Sequence, residues 1–375
     1  MMKTKNREFR KRKKKRNTID LPEDLVVEIL SRVPEASLAR FRSISKGWNA
    51  LIKKVVILTK KSLILMLIDF RVYSASVDLN GIQKNVVKLT SQFSLKDPLC
   101  NPSKEVDIRT VYHSDGLLLC TTKDNRLVAW NPRSGETSWV EPRIPHEKIG
   151  IYALGKSSCN KYKILRINQI SNRDKGLVEY EVYDFNSKSW RVTVGDETRD
   201  WSIIGLRPCG MSVNGNTYWL ADGTGGRFIV SFEFSTERLG RVSLPPTSHF
   251  SYDVRGLSVT REEQQLCLLT TQSRVVLDII DLWRATKIES SGATSWSKFL
   301  SVDSAFLSHP FRLVSGMNFL ADREKRVLVC PGGEGNSNSF LLIMGEDKYI
   351  QVDHRDAGFR CSLLLNYVPT LVQIQ

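Results

Sequence analysis

The sequence is poor in the residues that build metal centres and disulfide frameworks. It has five histidines and seven cysteines in 375 residues. The histidines do not cluster with each other or with cysteines, and no Cys-x-x-Cys pair occurs. Zinc sites need several such ligands at close spacing, so we expect no metal site and no cofactor. Scattered cysteines in odd number are typical of reduced thiols in a cytosolic or nuclear protein.

Long apolar runs and enzyme motifs are also missing. The longest apolar run, Leu63–Ile68, is far shorter than the roughly 18 residues that cross a membrane. No apolar segment follows the basic N-terminus, as a secretory signal would require. The chain has no Gly-x-Ser-x-Gly elbow, no phosphate-binding Gly-x-x-x-x-Gly-Lys-Ser/Thr loop and no His-Glu-x-x-His pair. We therefore expect no membrane partner and no catalytic residues.

Positive charge is concentrated at the N-terminus. The net charge is +15, and residues 1–16 contribute +9 of it. We expect residues 1–17 to form a disordered basic tail, whose charge cluster is a candidate nuclear-import signal: Arg10, Lys11, Arg12, Lys13, Lys14, Lys15 and Arg16. A solvated arm is the alternative. Nucleic-acid binding is disfavoured because only Phe9 interleaves with the charges. The expected location is the nucleus, the cytoplasm, or both.

The next segment, residues 18–60, predicts a small all-α module. Asp20 can cap a helix with Glu23 three residues later, and apolar residues then recur at helical spacing up to Pro34, which stops the helix. A second helix would carry Phe41, and Gly47 would interrupt the pattern before a last helical turn. Three such short helices cannot bury a core alone, so we expect the module to dock onto a partner.

The same residues strongly resemble an F-box, the element that docks a Skp-type adaptor and, through it, the cullin and RING subunits of a ubiquitin ligase. Ser43 and Gly47 depart from the usual plant pattern, and a glycine inside a helix costs about 1 kcal/mol relative to alanine. By position, the resemblance implies these adaptor-binding residues: Leu21, Pro22, Leu25, Ile29, Leu30, Val33, Pro34, Leu38, Phe41, Ile44 and Trp48.

From about residue 61 to 375, the chain predicts a large all-β domain built from repeated units. Each unit is an apolar strand with a polar residue near its end, a turn, and a strand often marked by tryptophan. Six copies occur, at residues 72–89, 127–142, 180–194, 228–245, 275–302 and 340–352. The marker residues Asp78, Asn131, Asp184, Glu233 and Asp281 are separated by 53, 53, 49 and 48 residues.

Fixed periods near fifty residues are typical of a β-propeller, because each small sheet must stack against its neighbours to bury both faces. We expect about six blades, with five to seven possible. The periodic tryptophans, Trp139, Trp190 and Trp296, would pack between blades. The last apolar stretch, Cys361–Ile374, would pair with the first blade and close the ring, which removes exposed edges.

This region resembles the kelch-like, propeller-type F-box-associated domain of plant F-box proteins. It departs from a clear kelch pattern because double glycines occur only at residues 225–226 and 332–333. The resemblance rests on five stretches in order: Asp115-Gly116-Leu117-Leu118-Leu119, Trp130-Asn131-Pro132, Tyr183-Asp184-Phe185, Asn214-Gly215-Asn216-Thr217-Tyr218-Trp219 and Tyr367-Val368-Pro369. In related plant proteins this domain is taken to recruit substrates.

These resemblances imply a non-catalytic substrate receptor of a ubiquitin ligase that holds an unidentified target protein through loops of the β domain. Three alternatives stay open at this point. The chain could be an adaptor-binding scaffold or nuclear regulator without ligase activity, a basic-tailed nucleic-acid-binding protein, or a hydrolase whose pocket only a structure reveals.

Overall fold

The structure is a computed structural model, and it divides the chain into two units, residues 1–59 and 60–375. The residues that it describes are 26, 30, 47–49, 52, 63–77, 87–97, 101–141, 150–168, 177–198, 201–205, 210–246, 252–260, 265–273, 278–303, 313, 315–323, 325–332, 340–346, 349–353, 361–370 and 372–374. In the first unit, residues 26, 30, 47–49 and 52 are helical. The predicted helical module as a whole lies outside the described residues.

The second unit is a six-bladed β-propeller of antiparallel sheets. Its first strands are β1 (Leu63–Ile68), β2 (Arg71–Val77) and β3 (Val87–Phe93), followed by the short hairpin of β4 (Lys96–Asp97) and β5 (Asn101–Glu105). Blade 2 contains β6 (Ile108–Ser114), β7 (Leu117–Thr122), β8 (Leu127–Trp130) and β9 (Thr137–Val140). Blade 3 contains β10 (Gly150–Lys156), β11 (Tyr162–Asn168), β12 (Leu177–Asp184) and β13 (Ser189–Thr198).

The remaining blades continue around the ring in chain order. Blade 4 contains β14 (Trp201–Ile203), β15 (Met211–Val213), β16 (Asn216–Gly223), β17 (Gly226–Glu233) and β18 (Arg238–Val242); β14 and β15 both pair with β16. Blade 5 contains β19 (Asp253–Val259), β20 (Leu266–Ser273), β21 (Asp278–Ile288) and β22 (Thr294–Asp303). Blade 6 contains β23 (Leu320–Asp322), β24 (Val327–Gly332), β25 (Phe340–Met344) and β26 (Tyr349–Asp353).

The last strand, β27 (Cys361–Tyr367), closes the ring. It pairs antiparallel with β1, with Leu63 opposite Tyr367, so blade 1 has the order β27-β1-β2-β3. The inner strands meet their neighbours at most junctions: β27 contacts β6, β6 contacts β10, β15 contacts β19, and β19 contacts β23, which contacts β27. Between blades 3 and 4, β10 contacts β16. Closure of the ring by the C-terminal apolar stretch is confirmed, as is the expectation of six blades.

The middle strands of blade 2, β7 and β8, are almost continuous apolar runs because both faces of the blade are packed against neighbouring blades. In β7, Leu117, Leu118, Leu119 and Cys120 are all buried. In β11, Leu165 faces the core shared with blade 4, whereas Ile164 faces the core shared with blade 2. Alternate residues of β11 thus fill two different inter-blade cores.

The repeated units of the sequence correspond to the outer hairpin of each blade. Residues 127–142 contain β8 and β9, and residues 180–194 contain most of β12 and β13. One marker was misplaced. Asp281 is the fourth residue of the eleven-residue strand β21 rather than a residue near its end, because β21 is longer than its counterparts and its turn begins only at Glu289.

The periodic tryptophans join neighbouring blades, as expected. The indole N–H of Trp190 in blade 3 donates to the carbonyl of Glu141, directly after the last strand of blade 2, at 3.0 Å. Trp139 packs against the inter-blade core and lies under the Arg126 guanidinium, 4.4 Å from its ring centroid. The Trp190 hydrogen bond thus links the outer strands of blades 2 and 3.

Candidate functional site

The propeller offers two rims of turns to a partner. Because successive strands of a blade run antiparallel, the turns alternate between the two rims. We call the rim where β1 begins and β27 ends the terminal face. It also carries the turns that follow the first and third strand of each blade. The opposite face carries the turns after the second strand and the connections between blades.

The centre of the ring is filled rather than open. A small cavity near the axis has room for about one water molecule and is lined by His113, Met211, Ser212, Ser258 and Asn366, together with Gly210 and Val259. Its polar side chains have partners: Asn366 donates to the Val259 carbonyl at 2.7 Å, and His113 Nε2 accepts the N–H of Gly116 at 3.1 Å. The described inner strands therefore leave no pocket here for a substrate.

His113 is held neutral in this position. It is half-buried, and desolvation lowers the pKa of its imidazole to about 4. Its Nε2 is the acceptor toward Gly116, so the proton of the neutral ring is on Nδ1. Its ring meets Tyr367 of β27 edge-on, with 5.6 Å between centroids. The residue thus belongs to the packed axis of the ring and is not poised for proton transfer.

Residues 368–370 and 372–374, which we call the C-terminal segment, cover the terminal face of blade 2. A Cβ on Gly116 would lie 2.5 Å from the Val368 carbonyl oxygen, and Gly116 has φ +79°. The buried amide of Asn131 donates to the carbonyls of Thr370 at 3.2 Å and Val372 at 2.9 Å. The segment therefore crosses from the inner turn to the outer turn of this blade.

The opposite face carries an exposed aromatic side chain between blades 1 and 2. Phe70 is 41% exposed, and it occupies the turn between β1 and β2, where Ile68 pairs with Arg71. Both turn residues are left-handed, with φ 45° at Asp69 and 64° at Phe70. A two-residue turn of this type favours glycine at the second position, and the left-handed conformation costs a side-chain-bearing residue about 1–2 kcal/mol.

Blade 2 holds this turn in place. The Lys123 ammonium lies 4.4 Å from the centroid of the Phe70 ring. The Phe70 carbonyl accepts the backbone N–H of Ile108 at 3.0 Å, and Arg109 donates to the Lys123 carbonyl at 2.9 Å. We call Asp69, Phe70, Arg109 and Lys123 the Phe70 patch. Sequence reasoning missed it, because Asp69-Phe70 lacks the Asp-Gly signature that would mark the turn.

Few of the predicted adaptor-binding residues can be placed. Leu30 is helical and buried, and Trp48 is helical and 37% exposed. Gly47, expected to interrupt the pattern, is itself helical. The other predicted residues lie outside the described part of the chain: Leu21, Pro22, Leu25, Ile29, Val33, Pro34, Leu38, Phe41 and Ile44, as do the import candidates Arg10, Lys11, Arg12, Lys13, Lys14, Lys15 and Arg16.

The described residues contain neither a candidate metal site nor a candidate membrane-spanning helix. No group of three or more histidine, cysteine or acidic side chains in those residues can hold a metal ion. Nor does any helix among them have the length and apolar character to cross a bilayer.

Comparison with known proteins gives matches along nearly the whole chain. The model of the F-box domain matches residues 19–60, and that of the F-box associated beta propeller domain matches residues 63–374. An Arabidopsis thaliana relative, "Putative F-box protein At4g10190", is 54% identical over 96% of this chain and 100% of its own length. A second, "Putative F-box protein At3g21130", is 49% identical over 96% of this chain and 99% of its own.

Proposed function

The chain belongs to the plant F-box proteins that carry an F-box associated beta propeller domain, and we propose that it is the substrate-recognition subunit of a Skp–cullin–F-box ubiquitin ligase. The single observation that carries this proposal is the order of the two matches. An F-box at residues 19–60 is followed directly by a closed propeller at residues 63–374. In this proposal the F-box binds an adaptor and the propeller binds a target protein.

Adaptor docking is assigned to the F-box. The apolar rows that include Leu21, Leu25 and Ile29, with Pro22 in the first turn, present anchors at helical spacing. An amphipathic helix that lays such a row into a groove is a common mode of recognition. In this proposal the adaptor links the chain to the cullin and RING subunits, which bring the ubiquitin-loaded enzyme.

Target binding is assigned to the propeller, and its opposite face is the better candidate. The terminal face of blade 2 is already occupied by the C-terminal segment, which Asn131 holds. The opposite face carries an exposed aromatic residue on a fixed turn. Turns on a rigid scaffold are the usual carriers of recognition.

The mechanism in this proposal is proximity. The chain does no chemistry itself, and the filled axis of the ring is consistent with that role. By holding a target protein beside the loaded enzyme, it raises the effective concentration of the target's lysines at the activated ubiquitin. The basic tail, with +9 on residues 1–16, supports a location in the nucleus, the cytoplasm, or both.

Reconstituted ubiquitin transfer tests the proposal. The full chain would be combined with a Skp-type adaptor, cullin, RING subunit, ubiquitin-activating and conjugating enzymes, and ubiquitin attached to the chain itself would be measured. The control is a variant with Leu21→Ala, Pro22→Ala and Leu25→Ala. Transfer that depends on the wild-type F-box supports a ligase receptor. Adaptor binding without transfer supports a scaffold instead, and absence of adaptor binding overturns both.

A further inference from the structure

We propose that the Phe70 patch is the anchor point for the target protein and that it takes an apolar side chain flanked by a carboxylate. This inference rests on the proposed function, because it names the surface and the chemistry by which the propeller would hold its target. Three observations support it, and none of them involves the F-box. Phe70 is exposed with a positive φ, its backbone is fixed by a hydrogen bond from blade 2, and the Lys123 ammonium lies over its ring.

The pairing of β1 with β2 requires a positive φ at the second residue of this turn, but it does not require a phenylalanine there. Phe70 is the only apolar residue with positive φ in the described part of the chain. Glycine or asparagine would adopt this conformation at lower cost. Phe70 is not a core residue, because it is 41% exposed. Strained residues that the core does not need are concentrated at functional sites.

The mounting of the ring is suited to binding. Phe70 is fixed by the hydrogen bond from Ile108 N–H and by the Lys123 ammonium over its ring. A side chain that is already fixed loses little conformational freedom on association, so less of the binding free energy is spent on ordering it. The second large apolar side chain exposed on the described propeller, Val192, lies within strand β13 and has no such neighbour among its recorded contacts.

The charge around the ring selects the partner. Four nearby carboxylates are already engaged: Glu105 and Asp107 pair with Arg71, and Asp97 and Asp124 pair with Arg126. Lys123 and Arg109 have no carboxylate within salt-bridge distance among the described residues, and Asp69 is the one acidic side chain of the patch. Lys123 lies over the ring without a carboxylate partner among the described residues, so it offers its ammonium to an acidic residue next to the apolar side chain of the target.

Peptide selection on the full chain tests the proposal. A phage-displayed library of random dodecapeptides would be selected on the wild-type protein, and enriched peptides would be synthesised and titrated by fluorescence polarisation. We expect an apolar residue with Asp or Glu within two positions. Phe70→Asn should raise the dissociation constant at least tenfold and Lys123→Gln about threefold. The matched control Val192→Ser, also an exposed apolar residue, should leave it unchanged.

Stability and competition measurements complete the test. Phe70→Asn should keep or raise the thermal midpoint, because asparagine tolerates the left-handed turn. A midpoint lower than that of Val192→Ser would make Phe70 a packing residue and overturn the proposal. So would the absence of enriched peptides, equal affinity for Phe70→Asn, or displacement of the peptides by a DNA duplex. Adaptor binding is measured separately in every variant. Loss of adaptor binding by the F-box is thereby distinguished from loss of peptide binding by the Phe70 patch.

Discussion

Trp296 in β22 donates its indole N–H to the carbonyl oxygen of Ser243, directly after the last strand of blade 4, at 2.8 Å. Trp190 makes the same link from blade 3 to blade 2. The bond therefore recurs at equivalent places in two blades and fixes the spacing between their outer strands. Trp139 lies at the corresponding position of blade 2, but its buried indole N–H has no hydrogen-bond partner among the residues that the structure describes.

This difference predicts unequal effects of one substitution. Trp296→Phe keeps an aromatic ring and loses the hydrogen bond, so we expect a loss of about 1 kcal/mol in the free energy of unfolding. Trp139→Phe removes a buried donor that is unsatisfied, so its cost should be smaller, or stability should rise. Urea denaturation of both variants measures the comparison. A larger loss for Trp139→Phe would contradict the role given to the inter-blade hydrogen bond.

Asn131 should be coupled to the C-terminal segment. Its amide donates to Thr370 and Val372, and its Oδ1 accepts the N–H of Arg133 at 3.0 Å. Because the side chain is fully buried, Asn131→Ala leaves several backbone groups unsatisfied and should cost about 3 kcal/mol. Asp184→Ala, at the matching turn of blade 3, should cost under about 1 kcal/mol, because the Asp184 carboxylate accepts its hydrogen bonds from Asn186, two residues further along the same exposed turn.

Deletion of residues 370–375 provides the complementary measurement. If Asn131 acts through the segment, the effects of the deletion and of Asn131→Ala on the free energy of unfolding should be strongly non-additive. Additive losses in a double-mutant cycle would show that Asn131 stabilises only its own turn.

His113 should make the propeller sensitive to mild acid. Burial lowers the pKa of its imidazole to about 4, whereas the unfolded chain takes up the proton near pH 6.5. Between these values the unfolded state binds more protons, so stability falls as pH falls from about 6.5 to 4 and this contribution is constant outside that window. The full contribution is on the order of 3 kcal/mol.

His113→Gln removes the titration while its amide oxygen can still accept the Gly116 N–H. The difference in unfolding free energy between wild type and this variant should therefore shrink, or reverse, as pH is lowered through that window. Parallel pH profiles for the two proteins would show that the pKa of His113 is the same in the folded and unfolded states, which would contradict the prediction.

The ion pair of Arg166 and Glu181 should be costly to break from one side. Their side chains are 2.7 Å apart and both about 5% exposed. Arg166→Met leaves a buried carboxylate without its cation and should cost about 3–5 kcal/mol, and the double variant with Glu181→Leu should recover part of that loss. Chemical denaturation of the three variants measures this. A double variant less stable than Arg166→Met would contradict the argument.

Much of the propeller could be predicted from the sequence because its outer hairpins repeat. Turns such as the one at Asn131 and tryptophans such as Trp190 recur at nearly fixed spacing, and the apolar C-terminal stretch indicated the closing strand. The inner strands carry no such marks. In blade 4 the inner strand is divided into β14 and β15, and the β4–β5 hairpin forms a sheet of its own. Neither feature recurs in the other blades, so the fifty-residue repeat of the sequence could not predict them.

The candidate target surface was beyond sequence reasoning for a physical reason. Phe70 and Lys123 are far apart in sequence and meet only because blades 1 and 2 pack side by side. The left-handed turn at Asp69-Phe70 arises from the pairing of β1 with β2, which overrides the local preference for glycine. Conversely, the F-box was identified from sequence alone, since its spacing is local, and the proposed adaptor-binding residues stay predictions.

The most direct test of the account is adaptor binding by the F-box. The full chain would be co-expressed and co-purified with a Skp-type adaptor beside the triple variant Leu21→Ala, Pro22→Ala, Leu25→Ala, with Phe70→Asn as a control outside the F-box. The account predicts a stoichiometric complex for the wild type and for Phe70→Asn, and loss of the adaptor from the triple variant. Failure of the wild-type chain to retain the adaptor would contradict it.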